Sequence, residues 1–120
     1  MPQLRLDYTA NIIEKNNFAA LFEKCHKILA DTLAVELYSC KSRAMQQEHY
    51  YIGNGDPNNA FVCLQLQVMS GRSREVLSLA VQMILTALKD HFAESLQQQK
   101  LQITLELVEL SNQMYFKLSS

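Results

Sequence analysis

The chain has 120 residues, 48% of them apolar and 19% charged, which suits one globular domain and leaves no polar tract long enough to stay disordered. Its formal net charge is −1 with both signs spread along the sequence, excluding the basic face that neutralises phosphates and with it a nucleic-acid partner. No apolar run approaches the length of a membrane span and the start lacks an apolar leader, so a soluble chain that is neither exported nor membrane-bound is expected.

From Gln3 to Thr9, Leu4, Leu6 and Tyr8 alternate with Arg5 and Asp7, the period-two pattern of a half-buried strand, and Pro2 shares the parity of the apolar set. Phe18, Leu21, Phe22, Cys25, Ile28, Leu29 and Leu33 then recur at steps of three and four, predicting a helix capped by Asn16 or Asn17. Val35 to Met45 reads as a strand with one face running Val35, Leu37, Ser39, Lys41, Arg43, Met45, turning from apolar to cationic. His49 to Ile52 reads as a short hairpin strand. Gly53-Asn54-Gly55-Asp56-Pro57-Asn58 is the strongest turn cluster, dividing the chain into halves of about 1–58 and 59–120.

The second half repeats the order of the first. Ala60 to Met69 alternates Val62, Leu64, Leu66 and Val68 with Cys63, Gln65 and Gln67, predicting a strand. Ser70-Gly71-Arg72-Ser73 turns into a helix with Ser73 as N-cap and a stripe through Val76, Leu77, Ala80, Ile84, Leu88 and Phe92. Leu101 to Leu110 forms a final strand, and Met114-Tyr115-Phe116-Lys117-Leu118 is too apolar for a free tail. Two strand-helix-strand halves with right-handed crossovers can share one four-stranded sheet, an α/β or α+β domain with two helices on one face. Apolar residues on the other face would then call for a second copy of the chain.

Phosphate-binding glycine loops, GxSxG and HExxH are absent. Cys25, Cys40 and Cys63 are odd in number and form no CxxC pair, which predicts neither a disulfide framework nor a zinc site and suits a reducing cytoplasm. His26, His49 and His91 have no metal-site spacing. Pro2 is the remaining candidate. A Met before a small residue is ordinarily trimmed, which would free a secondary amine whose pKa falls toward neutrality when buried or set beside cations. Such an amine is a base, although proline also opens strands without any such role. Arg72, in the turn entering a helix, either stabilises an anion or is a solvated loop arginine. Lys41 and Arg43 share a strand face and either reach one substrate or guard an exposed edge. Tyr50 and Tyr51 either wall a pocket or pack structurally.

The opening Met1-Pro2 before a strand, Gly55-Asp56-Pro57-Asn58-Asn59-Ala60-Phe61-Val62, Gly71-Arg72-Ser73, Glu106-Leu107-Val108-Glu109-Leu110 and Phe116-Lys117 together resemble the 5-carboxymethyl-2-hydroxymuconate isomerase family of the tautomerase superfamily. The resemblance spans nearly the whole chain. It implies a homotrimer of βαβ-βαβ subunits with active sites near subunit boundaries, a cytoplasmic role in aromatic catabolism, and neither cofactor nor metal. By it, Pro2 is general base and acid on a small unsaturated 2-oxo or 2-hydroxy dicarboxylic acid, Arg72 is its catalytic partner, and Lys41, Arg43 and Tyr50 bind substrate. The chain differs from that family's pattern at Lys41, where an arginine is usual, and a lysine lacks the planar fork that grips a carboxylate. Decarboxylation, dehalogenation or hydration by the same proline, or binding without turnover, stay open as alternatives.

Overall fold

In a computed structural model covering residues 1–120, the opening alternation forms β1 (Gln3–Thr9), with Leu4, Leu6 and Tyr8 buried and Arg5 exposed. α1 (Phe18–Leu33) buries Leu21, Cys25, Ile28, Leu29 and Leu33, a stripe whose spacing turns one helix side toward the sheet. Asn17 stands at its start, but in the left-handed region (φ 64) and without a side-chain capping bond. Ala34, at φ 55, ends the helix in the left-handed conformation that commonly stops one.

The strand expected from Val35 to Met45 is only half realised. After Ala34 the chain makes a 3-10 turn at Leu37–Ser39 and then enters the sheet as β2 (Lys41–Gln47). Val35 packs against the core from outside the sheet, so its alternation with Leu37 serves a connection rather than a ladder. No strand forms at His49–Ile52 either. That segment belongs to a loop closed by local bonds: Asn59 Nδ2 donates to the Ile52 carbonyl (3.0 Å) and the Asn58 amide to Asp56 Oδ1 (2.8 Å). Gly55 (φ 81) lies against the Tyr51 ring, where a Cβ would come within 2.8 Å, so the turn requires glycine.

β3 (Asn59–Met69) and α2 (Arg74–His91) follow as expected, and Ser73 Oγ accepts the Val76 N–H at 3.2 Å as the N-cap. Two features differ from the sequence pattern. The α2 stripe ends in Phe92 just beyond the helix, and a further short helix, α3 (Ala93–Gln98), precedes β4 (Lys100–Leu110). α3 is capped from far along the chain: Glu14 accepts the N–H groups of Glu94 (3.0 Å) and Ser95 (3.1 Å) and the Ser95 hydroxyl (2.5 Å).

The sheet order is β2-β1-β3-β4, with β1–β2 and β3–β4 parallel and β1–β3 antiparallel, so two strand-helix-strand units meet along their first strands. Leu4 sits beside Leu66, which sits beside Leu107, and Leu6 beside Leu64, which sits beside Leu105. α1 and α2 cover this face, adding Ala80, Ile84, Ala87 and Leu88 to one core. The other face is polar along its centre, carrying Gln3, Arg5, Gln65, Gln67, Thr104 and Glu106. Met45, Phe61 and Val108 share that face, so it still carries apolar residues, although alternation sends most of the large ones to the helix side. Exposed large apolar side chains include Met45 on this face, Leu37, Tyr38 and Tyr51 at the ends of the sheet and Met114, Phe116 and Leu118 after β4. No helix is long and apolar enough to cross a membrane.

Candidate active site

The register brings the starts of β1 and β2 and the ends of β3 and β4 to one end of the sheet, with Gln3 flanked by Lys41 and Gln67, and Gln67 by Val108. The end of α1 and the start of α2 lie there too, because each helix crosses back from one strand to the next. Pro2 is buried at this end, on the helix-covered side with Leu4, and its carbonyl accepts the Lys41 N–H at 3.1 Å. The Met1 ammonium donates to the Ser39 carbonyl at 3.0 Å. Its pKa is held below the usual value, first by burial and then by the positive charge of Lys41. Cys40 acts in the other direction, and Lys117 adds a smaller share of the lowering.

Arg72 is half-buried at the same end. Its guanidinium donates to the Met69 carbonyl (3.2 Å) and to the Leu33 carbonyl (3.4 Å). Leu33 is the last residue of α1, where carbonyls have no intrahelical partner, so Arg72 caps that helix and faces the negative end of its dipole. Arg72 also lines a cavity of about 460 Å³ with Arg74, Leu77, Ser78, Val81, Leu107 and Glu109. Pro2 does not line that cavity, so one protomer brings the two residues to the same end but not into one hollow.

Lys41 and Arg43 are exposed on the open face, Lys41 Nζ sharing the Ser39 carbonyl at 3.3 Å and Arg43 donating to Gln3 Oε1. Tyr50 lies elsewhere. It stands beyond the far end of β2, its ring edge-on to Phe61 at 6.4 Å, on a hollow of about 410 Å³ lined also by Asp7, Gln47, His49, Tyr51 and Cys63. A seven-residue strand separates the two ends, roughly 23 Å at strand rise, so Tyr50 cannot reach a small substrate held at Pro2 of its own protomer.

Ser39, Cys40 and Lys117 are neighbours of the chain's first amine that sequence patterning missed. The 3-10 turn and the path of the segment after β4 place them, and neither has a periodic signature. Cys25 and Cys40 are poor nucleophiles here: burial pushes the Cys25 thiol up to about 11 and raises that of Cys40. No three His, Cys, Asp or Glu side chains converge as a metal site would require.

The comparisons with known proteins agree with this architecture. Residues 2–120 match the family model for 5-carboxymethyl-2-hydroxymuconate isomerase. The chain is 29% identical over 117 residues to the 5-carboxymethyl-2-hydroxymuconate Delta-isomerase of Escherichia coli, covering 98% of this chain and 93% of that protein. A solved 5-carboxymethyl-2-hydroxymuconate isomerase from Deinococcus radiodurans R1 superposes with a TM-score of 0.90 at 30% identity, over 99% of this chain and 90% of that one. A fused 4-OT wild-type symmetric trimer shares the fold at 13% identity, with a TM-score of 0.67 over 90% of this chain and 86% of that one.

Proposed function

We propose, for a chain that belongs to the 5-carboxymethyl-2-hydroxymuconate isomerase family of the tautomerase superfamily, that the amine of Pro2 moves the proton. Membership makes the chain an enzyme, an isomerase. The observation that carries the residue assignment is the setting of the first amine, whose pKa is lowered by burial and by Lys41. Removal of Met1 leaves a secondary amine at the buried Pro2, just before β1, whose carbonyl is bonded to the Lys41 N–H. A neutral amine near pH 7 is a competent base.

The substrate class is a small unsaturated 2-oxo or 2-hydroxy dicarboxylic acid such as 5-carboxymethyl-2-hydroxymuconate. Pro2 nitrogen takes a proton from one position of the conjugated system, and the electron pair left behind spreads onto the oxygen. The same nitrogen, now an ammonium, returns the proton at another carbon, so the atoms balance without a co-reactant. Arg72 uses two of its five N–H donors on backbone carbonyls, which leaves three for the developing oxyanion of a substrate that extends from Pro2 to the Arg72 cavity. Lys41 supplies a point charge beside the amine, and Arg43 extends the positive field along the strand. Tyr50 joins such a site only from a neighbouring copy.

Likeness of fold to a symmetric trimer supports a homotrimer. Three free cysteines suit a cytoplasmic setting, and the substrate class suits aromatic catabolism. A second reading keeps Pro2 and changes the reaction to a decarboxylation, dehalogenation or hydration. Product analysis separates the two.

The test is ultraviolet monitoring of a 2-hydroxymuconate-type dienol with protein whose intact mass confirms loss of Met1. Loss of the dienol band is expected, with kcat in Pro2→Ala reduced by about 100-fold or more. Equal rates in both proteins would remove Pro2 from the chemistry.

A further inference from the structure

Two guanidiniums line the cavity of about 460 Å³ at the Pro2 end, and the fold engages only one of them. Arg72 is tied to the Met69 and Leu33 carbonyls. Arg74, the first residue of α2, makes no side-chain hydrogen bond, and the ion pairs of the chain, Lys27–Glu23 and Lys100–Asp56, lie elsewhere. Its position disfavours a cation on two counts: the first turn of a helix carries partial positive charge, and Arg72 brings a like charge into the same cavity. An anion held between the two guanidiniums turns that repulsion into attraction. The rest of the lining suits such an anion on an unsaturated chain. Leu77 and Val81 of α2 face Leu107 of β4 and form apolar walls, while Ser78, one turn after Arg74, adds a hydroxyl. Glu109, exposed near the end of β4, is the acid of the cavity and by repulsion confines a carboxylate to the arginine side.

A 2-hydroxy acid carries its carboxylate on the carbon next to the one that bears the oxyanion, so the donors for the two groups must be neighbours. We infer that Arg74 grips this carboxylate while Arg72 meets the oxyanion, which makes Arg74 a specificity-determining residue for acids over their neutral analogues. The inference rests on the substrate class and the Pro2 chemistry proposed above. Other cations are less suited to the task. Lys41 and Arg43 lie on the open face, where Lys41 Nζ donates to the Ser39 carbonyl and Arg43 to Gln3 Oε1. Arg74 has all five donors free, in the planar fork that forms two parallel bonds to a carboxylate. The hollow at the far end of the sheet carries Asp7 and neither lysine nor arginine. The groove that Lys24 and Lys27 line also holds Asp31, and Lys27 is already paired with Glu23.

Steady-state kinetics on the Met1-processed protein test this with 2-hydroxymuconate and its 1-methyl ester, which keeps the 2-hydroxyl but loses the charge of the neighbouring carboxylate. Arg74→Gln is expected to raise KM for the acid about 10-fold or more with kcat within about twofold of wild type, because the carboxylate is held equally before and during proton transfer. Arg74→Lys, which keeps the charge without the fork, should fall between the two. The ester, measured as a competitor of the acid, should bind wild type and Arg74→Gln alike. Urea unfolding should leave the midpoint of Arg74→Gln no lower than that of wild type, since no contact within the chain is lost. An unchanged KM for the acid in Arg74→Gln would overturn the assignment and leave Pro2 as the base, as would an equal loss of affinity for the ester. Absence of turnover by wild type would instead overturn the proposed substrate chemistry and the role of Arg74 with it.

Discussion

Arg72 shows how one side chain can carry two roles that only separate measurements distinguish. Its bonds to the Met69 and Leu33 carbonyls tie the end of β3 to the end of α1, and a charged donor in that position contributes on the order of 1 to 3 kcal/mol. Arg72→Ala is therefore expected to lower the urea midpoint and, by loss of oxyanion stabilisation, to reduce kcat/KM about ten- to a hundredfold. Loss of stability with unchanged kcat/KM would leave Arg72 as a helix cap alone. The type and position of Arg72 are legible in the sequence, because a turn of Ser70-Gly71-Arg72-Ser73 before an amphipathic stripe points to a helix start. Its carbonyl partners are not legible, since Leu33 lies far back in the chain and meets Arg72 only once both halves share a sheet.

At the scale of elements, the joint between α1, α2 and α3 is built on long-range polar contacts that no local pattern encodes. Glu14 caps α3, and His91 stacks against Phe18 (5.9 Å) and edge-on to Phe92 (4.7 Å), its Nε2 buried without a partner. Burial lowers the His91 pKa, with the Glu14 charge pulling the other way. The folded protein therefore binds this proton more weakly than the unfolded chain does. The stabilising effect of a neutral His91 is full above the unfolded value of about 6.5 and is lost as pH falls through it toward the folded pKa. Urea unfolding between pH 7.5 and 5.5 should show stability declining on acidification, with a shallower decline in His91→Phe; an identical slope in the variant would remove His91 as a source. His26, also lowered by burial, accounts for part of the remaining slope. The long strands and both main helices follow from periodicity because their apolar faces repeat over many residues. The failures at Val35–Ser39 and His49–Ile52 are short, and there a left-handed Ala34 and a glycine turn outweigh a few alternating positions.

For the whole molecule, the homotrimer proposed above would make folding and assembly one equilibrium. The thermal midpoint of wild type is accordingly expected to rise with protein concentration. A midpoint independent of concentration in wild type would argue for a protomer stable by itself. The sequence by itself determined the two strand-helix-strand halves, the buried parity of Pro2 and the family, because alternation, helical spacing and ordered motifs are local properties of the chain. Tertiary structure alone decided that Pro2, Lys41 and Arg72 share one end while Tyr50 stands at the other. It also decided which apolar side chains stay exposed, Met45 on the open face, Leu37, Tyr38 and Tyr51 at the sheet ends and Met114, Phe116 and Leu118 beyond β4 among them. The physical reason is that strand register and the direction of each crossover set these relations, and both are fixed by packing between residues tens of positions apart.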